Sequence, residues 1–173
     1  MRASKFYSLI MITAALCVLT SFRPQGSFTV TSAAFTNNGS IPSKYTCEGE
    51  NINPPLTLAN IPKGTQALAI IVHDPDAPMK GGFTHWVEWN MSPSAGIPER
   101  YNGRGAAGKN SADKYGYMGM CPPSGTHHYQ FKVYALDQMI KADPGATKGM
   151  LEAAMKGHIL AEAEIVGLYK KVK

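Results

Sequence analysis

Short apolar runs alternate with clusters of Gly, Pro, Asn and Ser from residue 27 onward. This pattern predicts a mainly β domain, because strands are typically short and bounded by such turn residues. The run SFTVTSAAF at 27–35 predicts a first strand. The continuously apolar ALAIIVH at 67–73 predicts a strand that is covered on both faces. The segment at 41–58 contains three prolines and is predicted to be irregular, because proline cannot donate a ladder hydrogen bond.

The segment HWVEWNM at 85–91 alternates with a period of two residues, which divides its side chains between the two faces of a strand. The face expected to hold His85 is the more apolar one, and it also carries Val87, Trp89 and Met91. The opposite face is expected to carry Trp86, Glu88 and Asn90. The two tryptophans are therefore expected on opposite faces.

The segment HHYQFKVYAL at 127–136 separates more cleanly into two faces. The inward face is expected to hold His127, Tyr129, Phe131, Val133 and Ala135. The outward face is expected to hold His128, Gln130, Lys132 and Tyr134. The pattern thus distinguishes two adjacent histidines: His127 points into the core or a pocket, and His128 points toward solvent.

Two elements are predicted near the end of the chain. DPGATKGMLEAAMKG at 143–157 places Leu151 and Met155 four residues apart among good helix formers, which predicts a short helix. HILAEAEIVGLYKK at 158–171 alternates in hydrophobicity and is predicted to be a strand, although its Ala and Glu residues also favour helix.

Residues 1–26 are predicted to be an export signal, which leaves 27–173 as a single domain. Arg2 and Lys5 precede an uncharged apolar stretch from Phe6 to Leu19, shorter than the roughly 20 residues of a membrane-spanning helix. An uncleaved membrane anchor is the alternative. The expected location is exported, either periplasmic or secreted.

Charge argues against nucleic acid as a partner. The full chain carries a net charge of +5, but residues 1–26 contain Arg2, Lys5 and Arg23 and no acidic residue, so the remainder carries only +2. Its Lys and Arg residues are scattered rather than clustered, unlike those of a nucleic-acid-binding surface. The apolar content of 44% is that of a globular chain.

Cys47 and Cys121 remain once the predicted signal, with Cys17, is removed. Disulfides persist in an oxidising compartment, so these two cysteines can pair. Closing a loop of about 74 residues stabilises a domain by roughly 4 kcal/mol in the chain-entropy model. Two separate buried thiols are the alternative, because sequence does not give their distance.

The motif DPDAP at 74–78 holds Asp74 and Asp76 on a stiff loop, since its two prolines restrict the backbone. Such rigid placement suits a functional site. The alternative is that both aspartates only cap the turn.

Five ordered segments resemble the phosphatidylethanolamine-binding protein family, in its bacterial Raf-kinase-inhibitor-like branch. They are YTCEGENINPPL, HDPDAP, FTHWVEWNM, CPPSGTHHYQFKVYALD and GHILAEAEIVGLY. Together they cover nearly all of residues 28–170. The resemblance implies a mainly β fold, in which a large antiparallel sheet packs on a smaller sheet with a few short peripheral helices.

The resemblance also implies a pocket for a small anion: phosphate, a phosphomonoester or a phospholipid headgroup. By motif, its ligand-binding residues are Asp74, His85, His127 and Tyr129, with Pro122 and Pro123 forming part of the wall. A carboxylate facing a phosphate would repel it. We therefore expect Asp74 to orient one of the histidines.

The expected function is non-enzymatic binding of that anion, with a regulatory role, and with neither metal nor cofactor. One alternative is a hydrolase that uses the Asp and His side chains, although the sequence contains no HExxH or GxSxG motif. Another alternative is an inhibitor of an extracytoplasmic kinase or protease. The sequence leaves the oligomeric state open, including a homodimer.

Overall fold

The computed structural model describes residues 26–103 and 105–172. The predicted export signal at 1–26 lies outside these ranges, except for Gly26. Within them, no helix is long and apolar enough to cross a membrane.

Nine strands and one α-helix make up the described part of the chain, together with a 3-10 turn at Ser43–Tyr45. In chain order the elements are β1 (Thr29–Thr31), β2 (Gly39–Ser40), β3 (Leu56–Ala59), β4 (Ala67–Asp74), β5 (Phe83–Met91), β6 (Gly96–Ile97), β7 (Ala106–Ala107), β8 (Thr126–Leu136), α1 (Lys148–Met155) and β9 (Ile159–Lys170).

The strands form two sheets. The larger has the order β2-β9-β8-β4-β5-β7, and the smaller has the order β1-β3-β6. Every pairing is antiparallel except that of β2 with β9, which is parallel. The predicted fold class is confirmed, and the expected peripheral helices are α1 and the 3-10 turn.

Apolar side chains cover both faces of the large sheet. On one face, residues such as Ile70 and Phe131 meet Val30 and Leu58 of the small sheet. On the other face, Ile71, Val87 and Trp89 pack beneath Leu151 and Met155 of α1. Burying each of those two helix side chains contributes about 1.5–3 kcal/mol. Strand β4 lies between the two clusters, which confirms the prediction from its continuous apolar run.

Strand β5 departs from simple alternation, so the predicted division of its faces holds for Trp86, Val87 and Trp89 but is wrong for Met91. His73 pairs with Thr84 whereas Val72 pairs with Trp86, which makes His85 a surplus residue in a β-bulge. A bulge sets two residues of one strand against one of its partner and so interrupts the alternation.

A second bulge lies further along β5. Ile70 pairs with Glu88 and Leu68 with Met91, so two residues of β5 oppose one of β4, and Asn90 adopts a positive φ of 58°. As a result, Met91 joins Trp86 in the cluster between the sheets, while Val87 and Trp89 lie beneath α1. The two tryptophans do lie on opposite faces, as expected.

Strand β8 follows the predicted alternation, with His127 buried and His128 exposed. Tyr134 lies on the predicted outward face but is only 5% exposed. The reason is that this face of the sheet is covered by α1. The predicted helix and final strand are confirmed as α1 and β9.

A disulfide joins Cys47 to Cys121, with a Cα–Cα distance of 5.5 Å. It connects the irregular segment after the 3-10 turn to the chain just before β8. The two backbones also meet directly, because the Cys47 N–H donates to the Met120 carbonyl at 3.1 Å.

Candidate functional site

A cavity of about 220 Å³ opens where β4 ends and β5 begins. Four of the six predicted ligand-site residues line it: Asp74, His85, Pro122 and Pro123. Apolar side chains form most of the remaining wall, namely Ala77, Pro78, Met79, Phe83 and Met118. A concave, mainly apolar pocket with a few polar groups is the usual form of a small-molecule site.

The turn between β4 and β5 is held tightly at the edge of the cavity. The Asp76 N–H donates to Asp74 Oδ1 at 2.9 Å, so Asp74 stiffens the turn as well as lining the cavity. Gly82 has a φ of 72°, and a Cβ there would lie 2.4 Å from the Asp74 carbonyl oxygen. This close approach requires glycine.

Asp74 forms a buried pair with His127. Asp74 Oδ2 lies 2.7 Å from His127 Nδ1, and the two side chains are only 4% and 9% exposed. An ionised carboxylate only accepts, so Nδ1–H donates to it and the other ring nitrogen, Nε2, is left for another partner. The geometry therefore matches the orienting role expected for Asp74.

His85 is fixed by a backbone carbonyl. Its Nδ1–H donates to the Met118 oxygen at 2.8 Å, since a carbonyl can only accept. Burial holds the pKa of His85 below its ordinary value, an effect partly opposed by this hydrogen bond. In the neutral ring, Nε2 is then a hydrogen-bond acceptor.

Tyr129 is completely buried, and its hydroxyl makes no hydrogen bond of normal geometry within the described residues, although the Asp74 carboxylate is near enough to interact with it. Its ring lies 5.3 Å from that of His85 and 6.4 Å from that of His127, between centroids. Burial, and then the charge of Asp74, raise the pKa of Tyr129, so the hydroxyl stays protonated at neutral pH. Leaving such a donor unpaired costs about 1–3 kcal/mol.

His127 and Tyr129 contribute less directly to the cavity than the resemblance implies. Neither belongs to its wall; His127 is held by Asp74, and Tyr129 packs against the rings of both histidines. Phe83, Met79 and Met118 line the cavity but were not predicted. Met79 and Met118 lie in loops, where hydrophobic periodicity gives no signal.

A second His–Asp pair lies at the protein surface. His128 Nδ1 is 2.7 Å from Asp76 Oδ2, which also accepts the His128 backbone N–H at 2.7 Å. The two side chains are 55% and 41% exposed. The hydrogen bonds from His128 lower the pKa of Asp76.

Within residues 26–103 and 105–172, no group of three or more His, Cys, Asp or Glu side chains is arranged to hold a metal ion. Asp74, His85 and His127 therefore do not form such a group.

Sequence comparison gives relatives over most of the chain. A profile of the phosphatidylethanolamine-binding protein family matches residues 31–170. The UPF0098 protein of Pyrococcus horikoshii is 48% identical over 150 residues, covering 81% of this chain and 75% of that protein. The UPF0098 protein of Chlamydia muridarum is 42% identical, covering 82% of this chain and 98% of that protein.

Comparison with solved structures gives the same family as the sequence comparison. The crystal structure of a phosphatidylethanolamine-binding protein homologue from Chlamydia trachomatis superposes with a TM-score of 0.80 at 39% identity, covering 84% of this chain and 98% of that one. The crystal structure of Escherichia coli YbcL, described as a new member of the mammalian family, superposes with a TM-score of 0.78 at 31% identity. The match covers 84% of this chain and 99% of that one. By sequence and by fold, this chain belongs to the phosphatidylethanolamine-binding protein family.

Proposed function

We propose that the pocket beside Asp74 and His85 binds a small phosphate-bearing anion without transforming it. The observation that carries this proposal is the mainly apolar cavity whose wall includes the polar side chains of Asp74 and His85. Behind this wall lies the buried Tyr129 hydroxyl, next to the rings of both site histidines. The hydroxyl does not line the cavity, so a phosphate oxygen would have to reach past the wall to accept from it; that hydrogen bond would remove the cost of leaving the donor unpaired.

The histidines supply the rest of the recognition. Both rings commit Nδ1–H to protein acceptors, Met118 O and Asp74 Oδ2. Each Nε2 is thus left to accept from a protonated phosphate oxygen, or to donate once the ring is charged. When the His127 ring is charged it neutralises the Asp74 carboxylate, which then opposes the anion less strongly.

The size and wall of the pocket favour a phosphate ester. A volume of about 220 Å³ lies below the roughly 300 Å³ at which drug-sized sites begin, so it suits a headgroup or phosphomonoester rather than a whole lipid. The apolar side chains of Met79 and Phe83 can contact the ester substituent. The family name, which refers to phosphatidylethanolamine, agrees with this ligand class.

The non-enzymatic part of the proposal is supported by Cys121. This cysteine lines the cavity, but its sulfur is bonded to Cys47 and is not a free nucleophile. The disulfide also accords with our proposal that the protein works outside the cytoplasm, where such bonds persist. A regulatory role would follow from reversible occupancy of the pocket.

Tyr129→Phe tests the proposal, because it removes only the hydroxyl oxygen. We expect phosphate and phosphoethanolamine to bind about ten- to a hundredfold more weakly, since one hydrogen bond to a charged group is lost. Stability should change little, because the deleted hydroxyl makes no hydrogen bond of normal geometry. Isothermal titration calorimetry with each ligand, and with phosphatidylethanolamine vesicles, measures affinity and separates the possible sources of the phosphate.

Tyr117→Phe is the matched control. The Tyr117 hydroxyl donates to the Tyr45 carbonyl at 2.7 Å, so its removal should cost about 0.5–1.5 kcal/mol of stability and leave binding unchanged. If the wild-type protein binds none of the three probes, or if Tyr129→Phe binds them equally well, the proposal is wrong.

A further inference from the structure

A second, smaller cavity lies beside the beginning of α1. Its volume is about 110 Å³, and Thr84 of β5 forms part of its wall. Thr84 immediately precedes His85, so the two cavities use consecutive residues of one strand. The other lining residues are Lys109, Asn110, Ser111, Thr147, Lys148 and Gly149.

The first turn of α1 has no side-chain acceptor. Thr147 occupies the N-cap position with an extended backbone, but its side chain makes no capping hydrogen bond, and no acidic residue lies in the first turn. The N–H groups at a helix start carry a partial positive charge and form a common site for anions. Lys148 adds a full positive charge at the same position.

Asn110 supplies an independent sign of a ligand. It is only 5% exposed, and its Oδ1 accepts the N–H groups of Ala112 and Lys114 at 3.0 and 3.1 Å. These two donors fix the orientation of the amide, because the reversed amide would set NH₂ against both N–H groups. Its Nδ2 is left without a hydrogen-bond partner in the described chain. Buried donors are nearly always paired, so this one is a candidate ligand contact.

Hydrogen bonds fix the loop that lines the cavity to β5 and to the segment just before α1. Ser111 is tied to β5 in both directions: its N–H donates to the Thr84 carbonyl, and its Oγ accepts the Thr84 N–H, each at 2.9 Å. The Lys109 N–H donates to the Ala146 carbonyl at 3.2 Å, just before α1. The loop and the helix start are therefore fixed relative to each other, which reduces the entropy cost of binding.

The charges around the cavity favour an anion. Lys109 pairs with Asp113 at 2.8 Å and Lys148 with Glu152 at 3.3 Å. The carboxylates are 80% and 42% exposed, and such surface pairs contribute only about 0–1 kcal/mol. Either ammonium group can therefore turn to a ligand at little cost. Lys148 also lowers the pKa of the nearby His73, after the larger effect of burial.

We propose that this cavity is a second anion site, distinct from the pocket beside His85, which binds a small tetrahedral oxyanion such as inorganic phosphate. The first-turn N–H groups of α1, the Asn110 amide and the two lysines are its donors. A volume of about 110 Å³ is far below that of a pocket for a nucleotide-sized ligand, so the recognised group is the oxyanion itself.

The test uses inorganic phosphate and a protein whose first pocket is disabled by Tyr129→Phe together with His85→Ala. Backbone amide resonances are followed by two-dimensional NMR during the titration. We expect saturable shifts at Ser111 and Gly149. Asn110→Asp keeps an acceptor for the two loop N–H groups but replaces the donor with a negative charge. The phosphate affinity obtained from these shifts should fall at least about tenfold.

Two further variants complete the test. Lys148→Gln should also weaken binding, whereas Lys156→Gln removes the same charge from an exposed position after the end of α1 and should not. Thermal unfolding of each variant shows whether the fold is retained. The second site is overturned if no saturable shifts appear at Ser111 and Gly149, or if the Asn110→Asp and Lys148→Gln variants bind phosphate as tightly as the parent protein does. Either result leaves the first site untouched.

Discussion

Two adjacent histidines provide a matched comparison of the same interaction inside and outside the protein. His127 and His128 each place Nδ1 2.7 Å from an aspartate Oδ2, of Asp74 and Asp76 respectively. The first pair is almost completely buried, and the second is about half exposed. Replacing each histidine in turn by alanine therefore varies the surroundings of the pair while its hydrogen-bond length stays the same.

The expected costs differ severalfold. His127→Ala leaves the Asp74 carboxylate buried, with the Asp76 N–H still donating to it at 2.9 Å but without its histidine partner, and breaking a buried pair in this way costs about 3–5 kcal/mol. His128→Ala breaks an exposed pair, worth about 0–1 kcal/mol, and keeps the backbone hydrogen bond to Asp76. Domains of this size are stable by roughly 5–15 kcal/mol, so both variants should fold.

Urea unfolding followed by circular dichroism, with the disulfide intact, gives the two free energies. In thermal unfolding, His127→Ala should lower the midpoint by about 10 °C, and His128→Ala by less than about 4 °C. If the two losses agree within about 0.5 kcal/mol, then burial does not decide the strength of the Asp74–His127 pair, and the orienting role assigned to Asp74 fails with it.

Three further predictions concern pH and the disulfide. Burial raises the pKa of Glu88, so the stability that its protonated form provides is lost as pH rises through the folded-state pKa. Glu88→Gln, which keeps an acceptor for the Trp86 indole, should thus raise the unfolding midpoint at pH 7 and change it little near about pH 4. Because burial holds the pKa of His85 below its ordinary value, calorimetry should find phosphate affinity still increasing as the pH falls below about 6.5, and a flat profile would contradict imidazolium binding. Thiol labelling of the denatured, unreduced domain should detect no thiol at Cys47 or Cys121. Reduction should lower the free energy of unfolding by about 4 kcal/mol, given their separation of 74 residues.

The regular strands were predictable because their surroundings repeat. Strands β8 and β9 alternate between two environments, and β4 is covered on both faces, so hydrophobicity alone identifies them. In strand β5, the face predicted for Met91 is wrong because a bulge adds a residue without a characteristic side chain. Asn90, whose residue type tolerates positive φ, is the only local sign of the second bulge.

The candidate site was predictable only in part. The family resemblance named Asp74 and His127, and only the structure shows that they are paired. Met118 lines the pocket and accepts from His85 because its loop meets strand β5, and no local pattern encodes that contact. The second cavity was not predicted, since it combines β5, the loop around Asn110 and the start of α1, which are distant in sequence.

The bulges of β5 also bear on how this protein can change over evolutionary time. Eight residues of β5, from Thr84 to Met91, oppose six of β4, from Leu68 to His73. Because His85 is the surplus residue of a bulge, a substitution there changes the pocket without changing which residues pack in the core. Mutation can alter the ligand group at this position while Val87 and Trp89 keep their places beneath α1, so new binding specificities can arise on an unchanged scaffold.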